Sequence, residues 1–389
     1  MKKIISLVLA MMMVLSLSAC SGNSSGSAKA FKLGASGPLT GDAAEYGLAV
    51  RNAAGIAVEE INAKGGIQFE FNMQDDQADG EKATAAYNAL MDWGMQVSLL
   101  TVTSGAGQAV APLFKQDKVF GLTPSGSSVA IIYQNVDAQS DPYGNLFQMC
   151  FTDPNQGVAS AEYLKAHAEL GSKVGIIYRS DDNYSTGIYQ KFKAAAQTAG
   201  LEIVSEQTFT NGATDYSVQV GKCQEAGADV VFLPIYYQPA SQILTEANAK
   251  GYKPTFFGCD GMDGILAMEG FDTALAEGLF MLTPFSADAE DELTKNFVAK
   301  YKEKYGVIPN QFAADAYDAV YAIAQAIEAS GAKPSDATAD ITEKLVKQFT
   351  GMTFSGLTGT GVTWNASGEV SKSPKAIMIR DGQYVSYGD

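Results

Sequence analysis

Histidine is almost missing from this chain of 389 residues, which holds a single copy, His167. One imidazole excludes histidine-rich metal sites and leaves most Ser-His-Asp or Cys-His arrangements without a base. His167 follows Leu164 and Ala166 on an expected helix, where an ordinary structural role suffices. Cysteine is nearly as scarce: Cys20, Cys150, Cys223 and Cys259, with no C-x-x-C spacing. The last three are expected to be small buried thiols. Basic residues number 27 against 43 acidic, a net charge of −16. A surface of that sign repels nucleic acid phosphates and anionic headgroups, so no nucleic acid partner is expected. Beyond Leu17 no apolar stretch is long enough to span a bilayer. No G-x-S-x-G string follows an expected strand, as a nucleophile elbow would, no P-loop occurs, and no cofactor or metal is expected.

What the chain does have begins at residue 1. Lys2 and Lys3 precede an apolar run from Ile4 to Leu17, which ends in Leu17-Ser18-Ala19-Cys20. A basic start, an apolar middle and small residues before a cleavage point make a secretory signal peptide. A cysteine directly after the small residues resembles the bacterial lipobox, which implies a signal over 1–20 and a lipidated Cys20 as the new N-terminus. Residues 21–30 open with Ser21-Gly22-Asn23-Ser24-Ser25-Gly26-Ser27 and read as a flexible tether. The expected location is therefore extracytoplasmic, with contact to the cell membrane through the lipid anchor only.

The length exceeds one ordinary core, so two domains are expected. A unit repeats from Phe31 onward: a short β-rich run, a Gly/Ser/Asp loop, then a helix with apolar residues three or four apart. Strands are expected at 31–36, 67–73, 96–102 and 119–122, then, after a break over 147–155, at 173–178, 202–207, 230–233 and 255–258. Strands separated by single helices imply parallel sheets covered on both faces, hence an α/β fold of two doubly wound lobes. After Leu282 three helical patterns follow, near 287–305, 312–329 and 338–349, then a short β-like end at 376–380. The simplest packing returns the helices to the first lobe and the last strands to the second. The expected division is 31–150 plus 285–355 for lobe 1, and 151–284 plus 356–389 for lobe 2.

In open α/β sheets ligands sit beyond the carboxyl ends of strands, where helix N-termini offer free N–H groups. Hydroxyl loops fall at such ends in the first lobe, at Thr103-Ser104 and Ser125 to Ser128. In the second lobe Asp181-Asp182-Asn183-Tyr184, Ile235-Tyr236-Tyr237 and Cys259-Asp260-Gly261 follow strands. Carboxylates and phenols on one side and hydroxyls and helix ends on the other suit an α-amino acid. Each residue alone also fits a cap or half-buried packing, Asp42 and Asp260 as helix N-caps among them.

Several strings occur in a characteristic order: Gly37-Pro38-Leu39-Thr40-Gly41 with Tyr46-Gly47, Ile61-Asn62-Ala63-Lys64-Gly65-Gly66-Ile67, Asp75-Asp76, Thr123-Pro124-Ser125, Asp182-Asn183-Tyr184-Ser185-Thr186-Gly187 and Gly258-Cys259-Asp260-Gly261. They resemble the type I periplasmic-type binding proteins of ABC transporters, in the branched-chain amino-acid-binding group. The resemblance implies two lobes joined by three crossover segments that close on a ligand. It places Ser104, Ser125 and Ser127 at the ligand carboxylate and amine, and Asp260 at the ammonium. Tyr184 and Tyr236 fall on second-lobe contacts, with Tyr46 beside the cleft. It further implies a monomer that hands an amino acid to ABC transporter permease subunits. Two departures bear on ligand identity: no cysteine pair lies in the first lobe, and Asp260 stands where some relatives carry glutamate. Tyr46, Met149, Tyr237 and Phe312 are the candidates to line the side-chain pocket.

Two other readings compete. Gly105-Ala106-Gly107-Gln108-Ala109-Val110 starts like a dinucleotide fingerprint, but Val110 replaces its third glycine. Asp75-Asp76 and Asp181-Asp182 are more simply solvated or capping than acid/base pairs, so an enzyme is not expected. A component presenting an amino acid, amide or small carboxylic acid to a membrane sensor is the alternative.

Overall fold

The computed structural model describes residues 29–387. The signal segment, Cys20 and residues 21–28 of the tether lie outside them. The first lobe is built on β1 (Phe31–Gly37), β2 (Phe69–Asp75), β3 (Val97–Ser98), β4 (Phe120–Thr123) and, after a small hairpin of β5 (Tyr133–Asn135) and β6 (Ser140–Pro142), β7 (Leu146–Gln148). These form a parallel sheet in the order β2-β1-β3-β4-β7. The second sheet holds β8 (Lys173–Arg179), β9 (Glu202–Phe209), β10 (Val230–Leu233), β11 (Thr255–Gly258) and β12 (Phe280–Thr283), all parallel. It is completed by two antiparallel strands, β15 (Lys375–Arg380) and β16 (Gln383–Ser386). Its strand order is β16-β15-β12-β11-β10-β8-β9.

Burial on both faces explains why central strands read as apolar runs, whereas the edge strands β2 and β9 keep polar, partly exposed positions. Val230–Leu233 is buried at every position. The covering helices are α1 (Ala44–Lys64), α2 (Gly80–Trp93) and α3 (Ser104–Asp117) in the first lobe, and α4 (Asp153–Ala166), α5 (Asn183–Ala199), α6 (Ser217–Glu225) and α7 (Tyr237–Ala249) in the second. Then α8 (Glu292–Tyr305), α9 (Gln311–Ser330) and α10 (Thr338–Phe349) return to the first lobe. There Phe349 packs on Phe120 and Phe147, with ring centroids 4.8 and 5.3 Å apart. The alanines of α1 and α9 (Ala53, Ala54 and Ala57 against Ala313, Ala316 and others) are buried, which lets the two helices approach closely. The chain thus crosses between lobes three times: from β7 to α4, from β12 to α8, and on the way to β15.

Several local expectations shift. A strand at Leu146–Gln148 runs into the stretch read as a break from residue 147, because three residues are too few to show a period. The strand expected over 96–102 shrinks to Val97–Ser98, and Leu100 takes a left-handed φ of 53°. Helix α1 is preceded by Ala43 with no side-chain cap, so Asp42 is not its N-cap. His167 ends α4 rather than lying within it, and stacks on Tyr163 at 4.1 Å. Cys150, Cys223 and Cys259 are free and buried.

The last crossing leaves the first lobe later than residue 356. A hairpin of β13 (Phe354–Gly356) and β14 (Gly359–Val362) is tied to α9 by Asp318, which accepts from Leu357 N–H (2.9 Å), Thr358 N–H (2.8 Å) and Thr358 Oγ1 (2.6 Å). Trp364 Nε1 then donates to Gln148 O at 2.8 Å, and Gln148 N–H donates to Gly368 O at 2.9 Å. Residues 354–368 therefore stay against the first lobe, and the second sheet is joined only at Lys375.

One buried ion pair anchors this crossing. Lys372 Nζ lies 2.6 Å from Asp315 Oδ1, each side chain 1% exposed. Burial pushes the Asp315 carboxyl up to about 6 even though Lys372 opposes it, so desolvation outweighs the attraction. Removing one partner leaves an uncompensated charge, which costs about 3–5 kcal/mol, whereas replacing both is often near neutral. Lys372→Met is therefore expected to lower stability by about 3 kcal/mol in denaturant titration, and Asp315→Leu/Lys372→Met to recover most of that loss. A double variant as unstable as the single one would contradict this account.

Candidate functional site

The carboxyl ends of both sheets face each other across the seam between lobes. From the first lobe come the loop after β1 with Tyr46, the segment after β3 with Thr103 and Ser104, and the loop after β4 with Ser125. From the second come Tyr184 at the start of α5, Tyr236 before α7, and Asp260-Gly261 after β11. With Phe312 of α9 these residues line a narrow gap of about 10 Å³. That is room for about one water-sized group.

Asp260 is the centre of the gap. It is 3% exposed. Its Oδ1 accepts from the Tyr184 hydroxyl at 2.6 Å and its Oδ2 from Gln156 Nε2 at 2.9 Å. Its carbonyl accepts from Gln311 Nε2 of α9 at 2.9 Å, a bond across the seam. Asp260 is therefore not a simple helix cap. Burial raises its carboxyl to about 7, against the opposing effect of Tyr184 and Gln156. Among the described residues no lysine or arginine forms an ion pair with it, and no group of side chains could hold a metal ion.

Tyr46 locks the seam from the other side. Its hydroxyl donates to Gly261 O and accepts from Tyr237 N–H at 3.2 Å. Its ring stacks on Phe312 at 4.2 Å and meets Tyr236 and Tyr237 edge-on at 5.3 and 5.0 Å. Gly47 makes this position possible, since a Cβ there would fall 2.0 Å from Pro38 O. Of the other expected lining residues, Phe312 borders the gap, Tyr237 packs behind Tyr46, and Met149 lies in the first-lobe core.

The hydroxyls divide into two kinds. Ser125 Oγ donates to Val102 O at 2.7 Å, and Ser104 Oγ accepts from Ser128 N–H at 3.2 Å. Both border the gap, yet both are committed inside the first lobe. Ser127 borders neither the gap nor the larger opening beside it. Among the buried side-chain oxygens without a hydrogen bond are Ser127 Oγ, Thr103 Oγ1 and Asp153 Oδ1. Thr103 is the N-cap residue of α3 but makes no side-chain cap, so the first N–H groups of that helix stay free. Its position has a signal in the sequence: Ala106 stands where a capping box would carry Glu or Gln. Asp153 opens α4, and burial holds its carboxyl well above the usual range, with Asp260 and Asp182 adding repulsion. Sequence reasoning missed Thr103 as a separate candidate, and Asp153 and Gln156 altogether.

From the gap the seam widens into a chamber of about 480 Å³ that opens to solvent. Thr103 and Tyr236 border both spaces. The arrangement offers no nucleophile with a base; it offers a desolvated carboxylate, a free helix N-terminus and an adjoining space, which is equipment for holding a small molecule.

Comparison with known proteins agrees. A family profile described as "Periplasmic binding protein" matches residues 30–380. The Leucine-, isoleucine-, valine-, threonine-, and alanine-binding protein of Pseudomonas aeruginosa is 27% identical over 312 residues, covering 78% of this chain and 79% of its own. Leu/Ile/Val-binding protein homolog 3 of Brucella melitensis is 26% identical over 360 residues, covering 91% of this chain and 92% of its own. Among solved structures, the branched-chain amino acid transporter substrate binding protein LivJ of Streptococcus pneumoniae, in complex with isoleucine, superposes with a TM-score of 0.80 at 26% identity, covering 92% of this chain and 98% of that one. These relatives are binding proteins, not enzymes, and the chain belongs to the periplasmic binding protein family, in its type I group of two α/β lobes.

Proposed function

We propose that the protein is the solute-capturing component of an ABC importer: it takes an amino acid between its lobes outside the cytoplasmic membrane and delivers it to permease subunits. The observation that carries this reading is the water-sized gap at Asp260. An ammonium group matches its size, supplies the missing cation, and donates hydrogen bonds to carboxylate oxygens that each have one partner already. Thr103 Oγ1 and the free N–H groups of α3 then meet the α-carboxylate. Tyr184 orients Asp260, Tyr236 closes one wall, and Tyr46 seals the seam. Ser104 contributes through its backbone, while Ser125 braces the loop behind it through Val102 O.

The leader and Cys20 support tethering to the membrane surface by lipid. Among the described residues no helix is long and apolar enough to cross a membrane. The relatives named for branched-chain amino acids support an amino acid as the ligand class. Closure replaces the water around both charges of the ligand with fixed partners, which makes the buried contacts strong and their loss costly.

Asp260→Asn is expected to weaken amino-acid binding by about 2–5 kcal/mol in isothermal titration, with the far-UV spectrum unchanged. An unchanged affinity would reject the ammonium role. The carboxyl near 7 adds a pH test. Asp260 must be ionised to meet an ammonium, so affinity is expected to be about tenfold weaker at pH 6 than at pH 8. The ligand-free protein has the opposite slope. A carboxyl whose folded pKa exceeds its unfolded 3.8 binds its proton earlier in the fold, so Asp260 adds stability as pH falls from about 7 towards 4. Melting curves and titrations over that range, each independent of pH, would contradict the assignment.

A further inference from the structure

The geometry points to a ligand whose side chain carries hydrogen-bonding groups and extends into the outer chamber, rather than an aliphatic side chain buried inside. This rests on the amino-acid reading above and narrows it. The inner gap has about 10 Å³ free, because the Tyr46 and Phe312 rings fill the space around it. Nothing larger than the ammonium fits there with the lobes closed. Thr103 and Tyr236 border both spaces, so the rest of the ligand leaves between them into the chamber of about 480 Å³. That volume falls in the range of small-molecule sites, about 300–1,000 Å³.

The chamber walls are mixed and polar. Lys82 approaches from the first lobe, and Arg179, Asp182, Asn211, Thr214 and Gln238 from the second. Arg179 pairs with Asp181 at 2.8 Å, whereas Lys82 Nζ donates to the neutral Gln77 Oε1 and keeps its charge. Asp182 caps α5 through Ser185 N–H. The side chains of Gln238 and Thr214 make no hydrogen bond among the described residues, and each can donate and accept. An aliphatic group in this space would take water from polar groups without replacing its hydrogen bonds, which costs affinity. A neutral side chain that both donates and accepts, such as a carboxamide, satisfies them.

The test is isothermal titration of the mature protein with pairs matched in size: asparagine against leucine, and glutamine against methionine, with isoleucine and valine added. At least one amide is expected to bind ten times or more tighter than its partner. The variant Gln238→Leu is expected to shrink that ratio at least threefold, with leucine binding no weaker than before. Leucine, isoleucine or valine binding tighter than both amides would overturn the inference while leaving amino-acid capture intact. A ratio unmoved by Gln238→Leu would also overturn it. No heat from any amino acid would reject amino-acid capture itself, and this inference with it.

Discussion

A buried carboxylate without a cation governs this molecule. Asp260 has lost its water to two α/β lobes, and the protein returns only a phenol and an amide to it. Such a group either keeps a proton or acquires a positive partner. Its carboxyl near 7 puts the choice in the physiological range, so a modest interaction with a ligand tips the balance. The neighbouring Asp153, also buried and with one oxygen unpartnered, strengthens the same demand for positive charge.

The rest of the architecture delivers that carboxylate to a closing seam. Parallel sheets bring the loops after their strands to one edge, and the three crossings allow two such edges to meet. The crossings are not loose tethers. Asp318, Trp364 and the Lys372–Asp315 pair bind the last of them to the first lobe, and Gln311 reaches from α9 to the Asp260 carbonyl. At the seam itself, the close approach of Gly47 to Pro38 positions Tyr46, whose hydroxyl donates to Gly261 O of the other lobe.

Much of this was legible in the sequence, for identifiable reasons. A periodic helix such as Thr338–Phe349 is read in place, near 338–349, because its apolar face repeats over several turns. That Asp260, Tyr184 and Tyr236 meet at the seam was legible because they follow apolar strands, whose carboxyl ends face it. Leu146–Gln148 was not, since three residues carry no period. The choice between Ser104 and Thr103 was also hidden: both are hydroxyls at one helix start, and only geometry reveals that Ser104 answers Ser128 while Thr103 answers nothing. The filling of the inner site by Tyr46 and Phe312 depends on residues far apart in the chain, so no local pattern announces it.

The central claim is that Asp260 receives the ammonium of a bound amino acid. A crystal structure with the tightest-binding amino acid tests it most directly. The account predicts the ligand nitrogen about 3 Å from the Asp260 carboxylate, with the ligand carboxylate against Thr103 and the start of α3. A ligand held elsewhere in the seam, with Asp260 touching only Tyr184 and Gln156, would contradict it.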